Sequence, residues 1–214
     1  MEKNDIKKSR FITIEGLEGC GKSSVINYLN SMLLDRGYSV EVFREPGSTS
    51  LGERIRHLLL DKTNTEMSYH TELLLYLAAR TQLIEQELKA AFNEFDIVIC
   101  DRFFDSTIAY QGFGCQLGAL AEKAAAMFNL GVIPDLTLFL DVPVVKGLAR
   151  IDEKDRIESR EISFHERIRQ GYLHIAKKDH KRVKVVDADC TLDELYFRVN
   201  MVITEFLEGQ GLIP

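Results

Sequence analysis

Two spacings of apolar residues alternate along the chain. Short β-rich runs recur five times: "FITIEG" from Phe11, "YSVEVFRE" from Tyr38, "DIVICDR" from Asp96, "DLTLFLDV" from Asp135 and "VKVVDAD" from Val183. The third and fourth are apolar enough to be buried on both faces, as central strands of a parallel sheet are. Between the runs the spacing lengthens to that of amphipathic helices, predicted over residues 23–35, 51–60, 69–92, 117–129, 164–178 and 192–208. Strands alternating with helices imply βαβ units and an α/β fold, a doubly wound five-stranded parallel sheet flanked by helices. No internal repeat, low-complexity segment or Pro/Gly-rich linker divides the sequence, so residues 1–214 read as a single domain. The strongly charged stretch "RIDEKDRIESRE", Arg150 to Glu161, interrupts the pattern. It reads either as a solvated connector or as a mobile lid over about residues 150–161.

Composition narrows the function classes. A chain of 214 residues, 45% hydrophobic and 28% charged, suits one sizeable globular domain. A formal net charge of −6 argues against a nucleic-acid binder, while leaving room for a local basic pocket. The polar start "MEKNDIKKSR" is no secretory signal, and no apolar run is long enough to span a membrane. The cysteines (Cys20, Cys100, Cys115, Cys190) are scattered without a C-x-x-C pair. That favours reduced thiols in a cytoplasm over a disulfide framework or a zinc site.

The candidate chemistry starts at "EGLEGCGKSS". Gly16 through Gly21, Lys22 and Ser23 fit G-x-x-x-x-G-K-[ST], whose glycines let backbone N–H groups approach a phosphate. Lys22 would reach the terminal phosphates and the Ser23 hydroxyl would ligate Mg²⁺. A chance surface turn is the alternative, but a strand enters the loop and a helix leaves it. Cys20 reads as a small filler within it. No N-K-x-D guanine-reading motif follows. Asp101 ends the third strand, suited to holding Mg²⁺ through water, with Arg102 beside it to clamp a second phosphorylated substrate or simply to face solvent. "REPG", Arg44 to Gly47, reads as a rigid turn, and Arg56 lies on the helix after it. Tyr76 and Arg80 are four apart on one helix face, suited to stacking and hydrogen-bonding a base, or to core packing.

Together "FITIEGLEGCGKSS", "REPGSTSLGE", "ELLLYLAARTQ", "DRFFDSTIAYQG", "PDLTLFLDV" and "DRIE" resemble the bacterial thymidylate (dTMP) kinase family, in the family's order from Phe11 to about Ala188. The resemblance implies a P-loop NTPase fold with a short lid, a cytoplasmic homodimer, and the reaction ATP + dTMP ⇌ ADP + dTDP with Mg²⁺, in dTTP synthesis. It implies that Gly16, Leu17, Glu18, Gly19, Cys20, Gly21, Lys22, Ser23 and Ser24 surround ATP. Arg150 would cover its adenine, with Asp187 and Ala188 alongside. Glu18 would lie near the deoxyribose 3′-OH and the acceptor phosphate, and Arg56 and Arg102 around that phosphate. Tyr76 would stack on thymine and Arg80 would bond its O4 edge. Thr107 and Gln111 would sit by the base, Ser106 close to the site, and Tyr110 against the sugar's 2′ position.

This chain departs from the family pattern at Ser48, where a second glycine is usual, and at Phe103, where Tyr or His is common. Its lid is shorter and poorer in arginine than many. Gly19 stands where some relatives carry a loop arginine, so the charge-stabilising arginine is expected from the lid, with Arg156 of "DRIE" closing onto the phosphates once both nucleotides are bound, or else pairing with neighbouring acids on a solvated loop. The expected catalytic set is therefore Lys22, Arg102, Arg156 and Glu18. A kinase acting on a deoxynucleoside would need a neutral pocket where Arg56 and Arg102 stand. A non-catalytic nucleotide binder would not need Lys22, Ser23 and Asp101 together.

Overall fold

All five β-rich runs become strands of one parallel sheet in a computed structural model that describes residues 9–212. Most of the N-terminal stretch read as no secretory signal lies outside the described residues. The strands are β1 (Arg10–Gly16), β2 (Val40–Arg44), β3 (Ile97–Asp101), β4 (Leu136–Asp141) and β5 (Val183–Asp187), in the order β2-β3-β1-β4-β5. The third and fourth runs are interior strands, as expected, but β1 holds the centre between them. The chain moves to one side of β1 for β2 and β3 and to the other for β4 and β5. The order therefore reverses at β1, whose carboxyl end runs into the glycine-rich loop, the usual place for a ligand crevice in such sheets. Register pairs Ile14 with Asp101 and Gly16 with Leu140, which brings the loop and Asp101 to the same rim.

The helices are α1 (Lys22–Asp35), α2 (Ser50–Leu60), α3 (Tyr69–Leu83), α4 (Lys89–Glu94), α5 (Phe104–Thr107), α6 (Ala119–Phe128), α7 (Val144–Leu148), α8 (Ile162–Lys178) and α9 (Leu192–Gly209). The long helix expected over residues 69–92 is interrupted by a π turn, Ile84–Leu88, between α3 and α4. The sequence reading missed α5, the π segment Ile108–Gly114 that continues it, and the short α7. "DSTIAYQGFG" carries Ser, Thr and two glycines, which reads as loop. Its glycine content has a packing cause, because a Cβ at Gly114 would lie 2.7 Å from the Phe164 ring and 2.9 Å from Ile168. Gly114 lets α8 cross the π segment closely, which seats Tyr172 beneath the site.

The two faces of β1 differ in chemistry. Ile12 and Ile14 join Val25, Leu29 and Leu33 of α1 and Val199 and Ile203 of α9 in a wholly apolar layer. On the opposite face lie Phe11, Thr13 and Glu15, and there the core is laced with polar groups. Thr13 and Thr137 share a 2.7 Å hydrogen bond, and Arg182 forks onto Asp105. No helix among the described residues is long and apolar enough to cross a membrane.

Candidate active site

The loop between β1 and α1 turns on Gly19 and Gly21, whose φ values of +70° and +97° favour glycine. A Cβ at Gly19 would lie 2.0 Å from the Gly147 carbonyl oxygen of α7. In this packing no side chain fits at position 19. Lys22 Nζ donates to the carbonyls of Gly16 at 3.1 Å and Leu17 at 2.7 Å, and Cys20 is buried as the small filler expected. Lys22, Ser23 and Asp101 line one end of a cavity of about 460 Å³. Asp101 Oδ1 is shut off from solvent with no hydrogen-bond partner. An unpartnered carboxylate oxygen near a serine hydroxyl is a donor set that suits Mg²⁺, which takes hard oxygen ligands and keeps several waters.

The cavity continues from the loop to Arg80. Between them stands Arg102, with a left-handed backbone (φ +70°) and a guanidinium that donates to Glu18 Oε1 at 3.0 Å. Its carbon lies 5.0 Å from the centre of the Tyr110 ring, and Tyr110 donates its hydroxyl proton to the same Glu18 oxygen. Burial works to raise the Glu18 carboxyl; Arg102, Lys22 and the Tyr110 hydroxyl outweigh it and hold it below the ordinary carboxylate range. Glu18 Oε2 has no hydrogen-bond partner and faces His165 Nδ1 at 3.7 Å. Arg56 also lines the cavity, half-buried, with Nη1 donating to the Pro46 carbonyl at 3.1 Å.

At the far end Arg80 is 1% exposed. It forks onto Glu45, with Nε at 3.0 Å from Oε2 and Nη2 on Oε1, and Nη2 also donates to Thr107 Oγ1 at 2.7 Å. Its Nη1 is buried and has no partner. Tyr76 lines the wall one helical turn away and Gln111 lines it from the π segment. Gln111 Nε2 donates to Glu72 Oε1 at 3.0 Å. The structure thus brings Tyr76, Arg80, Thr107 and Gln111 to one end, and Arg102, Ser106, Tyr110 and Glu18 to the middle.

Phe103 is wholly buried, edge-on to Phe11 and Phe104, with the Arg80 guanidinium 5.4 Å from its ring centre. An apolar floor thus lies under Arg80, at the position where Tyr or His is common in the family pattern. Ser48 takes φ +61° and keeps the turn closed, since its Oγ accepts from Arg44 N and its N–H donates to Glu53 Oε1, both at 2.8 Å.

In the lid, Arg156 takes its partners from α2 and α3. Arg156 does not face the phosphate loop. Its Nε donates to the Leu59 carbonyl at 2.7 Å and its Nη2 to Glu72 Oε2 at 2.7 Å, with Arg160 on the same oxygen. The cause is electrostatic: Glu72 is fully buried on α3, and an ionised carboxylate there needs cationic partners. From the lid, Asp155, Ile157 and Glu158 line the cavity and no arginine does. Arg150 Nη1 donates to the Gly19 carbonyl at 2.9 Å, and Lys146 of α7 bridges to Asp189, just past Asp187 and Ala188, at 2.7 Å. These residues gather around the loop but outside the cavity's lining.

Sequence reasoning passed over the buried acids that hold these side chains. Glu72 carried a usable signal, since Glu72, Tyr76 and Arg80 succeed one another at four-residue spacing on one face of α3. Glu15 and Tyr172 carried none, because each sits in a run that reads as strand or helix core.

The thymidylate kinase family model matches residues 14–196. A thymidylate kinase of Protochlamydia amoebophila (strain UWE25) is 43% identical over 215 residues, covering 95% of this chain and 94% of the relative. One of Thermoanaerobacter sp. (strain X514) is 37% identical over 203 residues, covering 94% of this chain and 100% of the relative. Among solved structures, the crystal structure of thymidylate kinase from Ehrlichia chaffeensis matches with a TM-score of 0.75 and 32% identity, over 92% of this chain and 99% of that one.

Proposed function

The chain belongs to the thymidylate kinase family and phosphorylates dTMP, and from that premise we propose how its residues divide the work. ATP lies along the phosphate loop, with Lys22 and the loop amides on its phosphates, Arg150 over the adenine, and Asp187 and Ala188 beside it. Ser23 and, through water, Asp101 would hold Mg²⁺, which would supply charge neutralisation at the phosphates. dTMP fills the rest of the cavity. Arg102 and Arg56 grip its phosphate, Glu18 accepts from the 3′-OH, and Tyr110 closes off the 2′ position. Tyr76 stacks on the base and Arg80 donates to thymine O4.

Phosphoryl transfer between two such ligands needs alignment and charge neutralisation. The acceptor phosphate is ionised near neutrality, so no strong base is required. Positive charge at the transfer point comes from Lys22 and Arg102, while Arg156 anchors the lid to Glu72.

The observation that carries this reading is Arg80, a buried arginine that lines the cavity and whose Nη1 has no hydrogen-bond partner. A buried cationic donor without an acceptor favours a ligand that supplies a carbonyl there. Coupled ADP-release assays across dTMP, dCMP, dGMP and thymidine test it. dTMP should turn over far faster than the rest, whereas equal use of dCMP, which presents an amino group to Arg80, would overturn it. We also propose a cytoplasmic homodimer; a monomeric mass by light scattering would overturn the dimer.

A further inference from the structure

We propose that Glu15 is a positioning residue for the acceptor phosphate, its carboxylate fixing both the backbone turn and the hydroxyl pair that present Arg102. The inference rests on Arg102 gripping that phosphate. Glu15 is wholly buried on β1, and both its oxygens are engaged. Oε1 accepts from the Phe103 N–H at 2.7 Å, while the preceding amide, Arg102 N–H, donates to the Ile14 carbonyl at 3.0 Å. Two consecutive residues of β1 thus pin the turn in which Arg102 adopts φ +70°, a conformation that side-chain-bearing residues seldom hold unaided.

Oε2 accepts from Ser106 Oγ at 2.6 Å and from Tyr172 OH at 2.8 Å. Arg102 Nη1 donates to those same two hydroxyl oxygens, at 3.4 and 3.2 Å. Each hydroxyl has one proton. With both protons turned to Glu15, both oxygens offer lone pairs to Arg102. An isosteric carboxamide cannot reproduce this. With its NH₂ toward Phe103 two donors collide; with its NH₂ toward the hydroxyls both must accept from it, and since they lie 2.9 Å apart one can donate to the other while the remaining proton turns on Arg102.

A protonated Glu15 would lose the negative charge that attracts Arg102 and would donate through Oε2 to one of the hydroxyls, which makes the arrangement sensitive to pH. Burial, joined by Asp105 on α5, raises this carboxyl to about 7 against the pull of Arg102, Ser106 and Tyr172. Arg182 pairs with Asp105, and the Cys100 thiol on β3 is a further titratable neighbour.

The test is steady-state kinetics of Glu15→Gln, Tyr172→Phe and Arg102→Ala, with the Glu15→Gln/Arg102→Ala double variant. Glu15→Gln should raise KM for dTMP about tenfold, the scale of one charge-assisted hydrogen bond, and leave KM for ATP unchanged. Tyr172→Phe should act in the same direction with a smaller effect, and it carries the test should Glu15→Gln fail to fold. In the Arg102→Ala background Glu15→Gln should add nothing. The wild type should also lose dTMP affinity more steeply than Glu15→Gln as pH falls through about 7, since titration of the substrate phosphate is common to both. A folded Glu15→Gln with wild-type KM for dTMP, or an equal loss with and without Arg102, would overturn the inference alone. An Arg102→Ala variant with unchanged dTMP kinetics would overturn the acceptor-site reading beneath it as well.

Discussion

The two ends of the cavity are built from different materials. The donor end is mostly backbone, one contiguous loop turned by Gly19 and Gly21, with the side chains of Lys22, Ser23 and Asp101 added. The acceptor end is built of long side chains from the turns after β2 and β3, α2, α3, α5, the π segment and the lid. There the arginines are held by carboxylates: Arg102 by Glu18, Arg80 by Glu45, and Arg156 and Arg160 by Glu72. Amides suit a group that is always the same, a polyphosphate, and need no partner to stay in place. Reading one particular base takes charged side chains in a dry pocket, and such charges persist only where something neutralises and orients them beforehand.

The largest expected effect lies at the donor end. Lys22→Ala should lower kcat by about 10²–10³, the scale for removing one charge-stabilising donor, while leaving the fold and dTMP binding intact. Single-turnover kinetics measure it, and a folded variant with near-normal kcat would remove Lys22 from the chemistry.

At the acceptor end the same kind of deletion should divide into two effects. Arg80→Ala should lower kcat/KM for dTMP at least about tenfold, with little change in KM for ATP. Glu45→Gln should act on stability instead, since it leaves the guanidinium of Arg80 buried without a counter-charge, at a cost of about 3–5 kcal/mol. Urea unfolding monitors the second. An unchanged midpoint for Glu45→Gln would mean that this pair is not what holds the pocket open.

The same contrast governs what the sequence discloses. The donor loop is local: its glycines, Lys22 and Ser23 lie within one octapeptide, and strand and helix frame it. Arg102, Tyr76 and Arg80 were legible as candidates because their motifs carry them. Their supports were not, since Glu15 lies 157 residues from Tyr172 and Glu72 lies 84 from Arg156. Periodicity reports which face of an element is apolar, and it is silent on a polar group buried by a partner from another segment. The partners of the lid arginines were hidden for the same reason. "RIDEKDRIESRE" has the composition of a solvated loop, yet Ile157 is buried and Arg156 nearly so, because Glu72 draws the arginines inward.

That pairing gives a prediction of smaller size. Arg156→Ala should leave the single-turnover rate unchanged and raise KM for dTMP only a few-fold, because Arg160 still neutralises Glu72. Removing both arginines should cost more than the sum of the single changes, since a buried carboxylate is then left unpaired. A strongly depressed chemical step in Arg156→Ala alone would mean that it leaves Glu72 and reaches the phosphates during turnover.

The smallest effect concerns stability against pH, and it asks whether the acceptor end keeps its charges at the expense of stability. Glu15 has an ordinary carboxyl value of 4.5 and a folded value near 7. Between these values the folded chain holds a proton that the unfolded chain has released, so the contribution of Glu15 is fully present below 4.5 and lost as pH rises through about 7. Glu15→Gln has no such proton to lose. Its melting temperature should therefore gain on the wild type as pH rises across that window and hold the gain above it, whatever offset the lost hydrogen bonds impose at every pH. Differential scanning calorimetry in matched buffers reads the slope, and parallel curves would show that Glu15 is ionised at no cost to the fold. A gain on the stability side, joined to the loss of dTMP affinity expected of the same variant, would mark Glu15 as a group whose charge serves binding against folding.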